Sequence, residues 1–167
     1  MKKLKFPILL LALIAILNGS CTKNVVELPP PDFATLITQG TFKGRKINES
    51  DLLLSRDIEI TAKAGASKNE VIFQETDPVQ KITIEYRVNF GVNGRNGTEI
   101  IINQQLIRVP ASASTASTIK TFVGVPLENG KPEQGFYQTE DANRNPINEI
   151  YFRMSVDKIN WKYSVKK

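Results

Sequence analysis

From residue 57 onward the chain alternates apolar and polar side chains with a period of two, the pattern of strands with one face in a core and one in water. Residues 81–90 carry it most clearly. Ile82, Ile84, Tyr86, Val88 and Phe90 point one way, and Lys81, Thr83, Glu85, Arg87 and Asn89 the other. Residues 71–75 precede this strand across a turn at 76–79. Residues 91–97 follow it, with Asn93-Gly94 and Asn96-Gly97 supplying positions that tolerate positive φ. Residues 98–109 return as a strand whose apolar positions slip phase near Gln104, which predicts a bulge. Residues 111–118 (ASASTAST) read as a loop too polar to pack, and 119–125 and 135–139 as two further strands around a turn at 127–132. Two stretches stay ambiguous. Asp32 can cap a short helix over 33–39 closed by Gly40, or 36–43 can be a strand; 50–55 (SDLLLS) is a helical turn or a buried strand.

The C-terminal stretch fixes its own register. Ile150, Phe152, Met154 and Val156 alternate, then Ile159, Trp161, Tyr163 and Val165. A two-residue turn at Asp157-Lys158 sets Val156 opposite Ile159, Met154 opposite Trp161, Phe152 opposite Tyr163 and Ile150 opposite Val165. A slip of one residue would break all four apolar pairs. Residues 155–161 (SVDKINW) resemble the Ser-x-Asp-Gly-x-x-Trp hairpin of discoidin-like and other sandwich domains, with Lys158 in place of the Gly. The resemblance implies a structural hairpin whose Asp bonds turn amides and whose Trp enters the core. About eight strands with few helices predict an all-β fold, an antiparallel β-sandwich (Ig-like or similar), with a closed β-barrel as the alternative.

Ahead of this domain the pattern is different. A basic start, residues 1–5, leads into twelve apolar residues, 6–17 (FPILLLALIAIL), then Asn18-Gly19-Ser20 and Cys21. An apolar helix of that length spans roughly 18 Å, short of a bilayer core of about 30 Å, so the segment reads as a signal peptide rather than a membrane span. Residues 17–21 (LNGSC) resemble the type II signal peptides of bacterial lipoproteins, in the relaxed form found in Bacteroidetes. That resemblance implies cleavage after Ser20 and lipid attachment at Cys21. Thr22, in place of the Asp that retains lipoproteins in the inner membrane of enteric bacteria, implies the outer membrane. Residues 22–27 lack the acidic run of surface-exported relatives, which favours the periplasmic leaflet over the cell surface. Residues 21–31, ending in three prolines, then form an extended tether. The organisation expected is a signal peptide at 1–20, a lipidated Cys and Pro-rich tether at 21–31, and a single β domain at 32–167.

Composition narrows the chemistry. The formal net charge of +5 includes Lys2, Lys3 and Lys5 of the leader, so the rest of the chain, 19 basic against 17 acidic side chains, is close to balanced, and no long Lys/Arg run follows. Nucleic acid is not an expected partner. The chain has no His and one Cys, which removes the usual general base, the commonest transition-metal ligand, internal disulfides and Cys-based zinc sites. No cofactor or metal is expected. Asp141, Asn143 and Asn145 open like a calcium loop with Glu149 downstream, but Pro146 and Phe152 stand where such a loop needs Gly and Glu, and turn chemistry accounts for the same residues. Asp51, Asp57, Glu59, Glu140 and Asp141 are the carboxylates a glycosidase-like pair would be drawn from. Tyr151 and Arg153, on the polar side of the last hairpin, form a candidate contact surface.

The function these readings predict is a lipid-anchored binding or accessory module of the cell envelope, not an enzyme, contacting a protein or glycan partner. A carboxylate-dependent hydrolase is the runner-up. A lipocalin-like carrier of a small apolar ligand is third, and one face of every strand lining an interior would mark it.

Overall fold

Alternation along a strand puts every second side chain on one face, and a sheet that curls until its first and last strands pair turns that face into an interior. The computed structural model describes Ile37 and residues 40–93, 97–112, 115–141 and 143–167, with backbone alone at 92, 93 and 97. Among the described residues there are ten strands: β1 (Thr41–Asn48), β2 (Arg56–Ala64), β3 (Glu70–Asp77), β4 (Ile82–Asn93), β5 (Gly97–Ile101), β6 (Gln105–Val109), β7 (Thr118–Gly124), β8 (Gly135–Glu140), β9 (Pro146–Val156) and β10 (Ile159–Lys166). All pairings are antiparallel, and β1 pairs with both β2 and β10. The ring β10-β1-β2-β3-β4-β5-β8-β9 closes through the β9–β10 hairpin into an eight-stranded barrel.

The all-β expectation holds, with the closed barrel in place of the sandwich. Alternation gives both architectures one wet face per strand. What separates them is whether β1 finds β10, a pairing between distant parts of the chain that periodicity does not encode.

Two staves of the barrel are broken at the same height. β9 is long enough to pair with β8 along its lower part (Gly135 opposite Phe152) and with β7 along its upper part (Gly124 opposite Met154). Residues 125–134 leave the wall between them, with Val125 N–H and Gln134 C=O both bonded to the main chain of Arg153. The opposite stave breaks between β5 and β6, where the phase slip near Gln104 predicts a bulge. Instead of one extra residue, residues 102–104 step out of the ladder entirely. The Gln134 side chain accepts the freed Ile102 N–H at 2.6 Å, and Ile102 C=O takes Gly124 N–H at 2.9 Å.

The hairpin expected at the C-terminal end is present in the expected register, all four apolar pairs included. Asp157 (φ 51°) and Lys158 (φ 70°) both adopt the left-handed conformation of a two-residue primed turn, and the Asp157 carboxylate accepts the Thr121 N–H at 2.8 Å. Residues 52–54 form a 3-10 turn with no buried residue, not a strand. The helix expected over 33–39 lies outside the described residues except Ile37, which is helical and fully buried.

The lower part of the barrel is filled by aliphatic side chains and by a set of packed rings. Phe42, Phe73, Phe90, Phe152 and Tyr163 are each at most 2% exposed, and Phe152 stacks on Tyr163 at 4.3 Å. Strands cross closely enough there that a Cβ on Gly135 would lie 2.4 Å from the Cβ of Phe152, so β8 needs glycine at that crossing.

Candidate functional site

On three neighbouring strands the inward-facing row begins apolar and ends charged. β1 runs Phe42, Gly44, Lys46; β2 runs back from Ile60 and Ile58 to Arg56; β3 runs Val71, Phe73, Glu75, Asp77. The rows place four charges inside the upper barrel. Lys46 pairs with Glu75, which is 2% exposed, and the Tyr86 hydroxyl reaches the second oxygen of the same carboxylate at 3.3 Å. Arg56 pairs with Asp77 at 3.1 Å. Burial alone would raise the Asp77 carboxyl. The N–H groups of Gln80 and Val79 and the Arg56 guanidinium outweigh it and hold the group below the ordinary carboxylate range. Burial pushes the Tyr86 and Tyr163 hydroxyls well above the ordinary range, so both stay neutral donors around Glu75.

Trp161 faces these pairs from β10, with Lys46 Nζ at 5.4 Å and the Arg56 guanidinium at 5.8 Å from its ring. Its ring does face inward, as the hairpin resemblance implies, but it is only partly buried: it walls a cavity of about 390 Å³ rather than filling a core. Ile82, Ile84, Val109, Phe122, Val156 and Ile159 complete the apolar wall. Thr115 and Ala116, in the loop expected to be too polar to pack, lie over the cavity as part of its lining. Lys120 projects into it from β7 and has no ion-pair or hydrogen-bond partner among the described residues. The two acid–base pairs cancel, so the lining carries one uncompensated positive charge.

The wall beside this cavity has a seam. Above Arg87, β4 has no main-chain ladder to β6. The Gln105 side-chain amide joins them, accepting the Arg87 N–H and donating to the Arg87 C=O, each at 2.8 Å, as a peptide group of a neighbouring strand would.

The residues singled out in the sequence lie elsewhere. Tyr151 stands on the outer wall of β9, stacked on Phe136 with ring centroids 5.4 Å apart. Arg153, also on the outer wall, is bound on every side. It makes a two-pronged ion pair with Glu49 at 2.6 and 2.9 Å and donates to the C=O groups of Pro126 and Leu127. The Arg153 hydrogen bond is the main cause that holds the Glu49 carboxyl below its ordinary range. Asp57 and Glu59 are on the outside of β2, paired with Arg45 and Lys43 across the strand. Asp51 bonds the N–H of Leu53. Asp141 accepts the N–H groups of Asn143 and Asn145 and the Asn145 side-chain amide, and so is saturated by its own loop. Cys21 lies outside the described residues.

The cavity residues Lys46, Arg56, Glu75, Asp77 and Lys120 were not singled out from the sequence. Their signal is phase: each occupies a position that its strand's alternation assigns to the interior, where an unpartnered charge is costly. The chain matches no protein-family model, no curated protein and no solved structure.

Proposed function

We propose that the chain is a lipid-anchored carrier of the cell envelope that holds one small amphiphilic molecule, bearing a single negative charge, in the upper half of its barrel. The observation that carries this reading is an apolar-walled cavity whose one uncompensated charge is Lys120. Its volume falls at the small end of ligand pockets, roughly 300–1,000 Å³, and suits a short acyl or ring system with one anionic group. The carrier was the third of the sequence-based expectations; an interior lined by one face of each strand now favours it over the hydrolase. Glu75 and Asp77, the carboxylates in the cavity lining, are each tied to a base. The anchor at Cys21, in the periplasmic leaflet of the outer membrane, keeps the carrier at a surface where such molecules partition. A protein or glycan contact on the outer wall would fall to Tyr151, since the donors of Arg153 are occupied.

Trp161, the one tryptophan of the chain, reports on the cavity directly. Titrating the chain from Asp32 onward with decanoate, decanol and decylamine should change its emission most strongly with decanoate. The preference for decanoate over decanol should be about tenfold and should disappear in Lys120→Gln. Equal affinity for all three, or no response to any, would overturn the reading. The anchor is tested separately: Cys21→Ala should abolish labelling by a fatty-acid analogue and leave uncleaved precursor.

A further inference from the structure

Seven large apolar side chains are exposed among the described residues, and all lie in the upper half of the barrel. Five of them crown its rim. Leu52, Leu53 and Leu54 occupy the β1–β2 loop at 72%, 93% and 50% exposure, Val79 the β3–β4 turn at 86%, and Ile159 the β9–β10 turn at 43%. The leucine loop is not loosely hung. Asn48 Oδ1 accepts the N–H groups of Ser50 and Asp51, Asp51 caps the N–H of Leu53, and Ser55 closes the turn onto the Leu52 C=O. The hydrogen bonds fix a conformation in which all three leucines point into water. An ordered apolar surface held outward in this way has a use other than packing.

We propose that this rim docks onto an anionic lipid bilayer, with the cavity mouth facing the membrane. Three observations choose a bilayer over a protein partner. First, the apolar tips sit on three separate loops around an opening, a discontinuous crown that a fluid phase can wet and a rigid surface would have to match. Second, these three loops carry Leu and Val with Ile159 beside them and no Trp, Tyr or Arg, whereas protein hot spots are dominated by those three and depleted in Leu and Val. Third, Lys81 and Lys158 stand exposed among the apolar tips with no partner among the described residues, while the rim carboxylates of Asp51 and Asp157 each accept a main-chain N–H. Aliphatic tips flanked by lysines are what interfacial insertion into an anionic surface requires. The rim lies at the end of the barrel opposite the start of β1. Gly40 and the start of β1 lie beside the end of β10 at the base. A stave of eleven residues such as β9 carries the mouth roughly 28 Å away from that base.

The proposal stands whether or not the cavity holds an anion, and a reporter on the rim tests it independently of the cavity. The full chain carrying Trp161→Phe with Leu53→Trp is first incorporated into ordinary vesicles. Vesicles of phosphatidylethanolamine and phosphatidylglycerol with brominated acyl chains are then added. Emission from position 53 should fall at least about twofold, and a second chain carrying Trp161→Phe with Lys68→Trp, in the exposed β2–β3 loop at the base, should be unaffected. Adding Lys81→Glu and Lys158→Glu should weaken the response. Position 53 emitting as it does in buffer overturns the proposal and leaves the leucines to a protein partner. Equal quenching at positions 53 and 68, or a response unchanged when phosphatidylglycerol is omitted, overturns it as well. Decanoate binding without rim quenching would leave the carrier reading standing alone; rim quenching without ligand binding would leave only the docking.

Discussion

The same eight staves enclose two different interiors. Below the level of Arg87 and Arg153 the inward positions are apolar, the rings of Phe42, Phe73, Phe90 and Phe152 packed among Ile60, Val71, Ile100, Ile150 and Val165, with Tyr163 at their upper edge. Above it the inward positions of β1, β2, β3 and β7 include Lys46, Arg56, Glu75, Asp77 and Lys120, and space remains between them. Below, main-chain pairing runs from strand to strand around the ring, with one register shift between Gln138 and Glu140, whereas above a side-chain amide and a stepped-out loop stand in for main-chain pairs. An eight-stranded barrel is just wide enough to be filled by side chains or to hold one small ligand. This one does both, at different heights. Stability therefore belongs mainly to the lower half, which lets the upper half carry charges and volume that a core would not tolerate.

Mutations that treat the halves alike should reveal the difference. Phe152→Ala removes a ring packed on Tyr163, Phe73 and Tyr86 and should cost about 3–5 kcal/mol in denaturant unfolding. Ile82→Ala, on the cavity wall, should cost no more than about 1 kcal/mol, because the site is already partly solvated. Equal losses would mean that the upper interior is packed like the lower. Glu75→Ala should come next, destabilising by roughly 3 kcal/mol by leaving Lys46 in the cavity without its counter-charge, while Glu75→Ala with Lys46→Met should recover much of the loss. A double variant no better than the single would deny the pairing its energetic role.

Acid should reach the interior of the upper half before that of the lower: among the carboxyls held below their ordinary range, Asp77 lines the cavity, whereas Asp141 lies in the β8–β9 loop, outside the rings. Glu49 and Asp77 are held below their ordinary values of 4.5 and 3.8 in the folded chain. A depressed carboxyl contributes stability that is fully present above its unfolded value and is lost as pH falls through the folded one. Lowering pH from 5 toward 3 should therefore reduce the melting temperature, and Trp161 emission should change before the aromatic circular dichroism of the lower rings. Simultaneous changes would erase the distinction between halves. The smallest effect is a gain: Lys158→Gly relieves a side chain at φ 70° and should stabilise the hairpin by up to about 1 kcal/mol, seen as a raised denaturation midpoint.

What the sequence made legible was local. The hairpin register followed from four apolar pairs around a two-residue turn, and the slip near Gln104 marked the place where a stave breaks. Closure was not legible, because the partner of β1 lies at the far end of the chain and alternation is blind to distance. The cavity was not legible either. A hollow has no residue of its own, and its lining charges look on paper like the solvated charges of Asp57 or Glu59. Only the phase of Glu75 and Asp77, continuing the row begun by Val71 and Phe73, separates them. Arg153 shows the converse: an outward arginine that reads as a contact residue is held by Glu49, more than a hundred positions away in sequence.

Most neighbours in the wall are also neighbours along the chain, and such hairpins can assemble within microseconds of one another. Three junctions are exceptions, β5 with β8, β7 with β9 and β1 with β10, and the last spans the most chain: the first strand must wait for the last. Until β10 has been synthesised and zipped between β1 and β9, two open edges expose main-chain donors and acceptors, and the rings of the lower half have no complete enclosure. Closing so long a loop is the slow, late event in a chain otherwise built from fast local steps. Such a polypeptide stays unclosed for most of its synthesis, and that is when the chain is most exposed to edge-to-edge association with other copies.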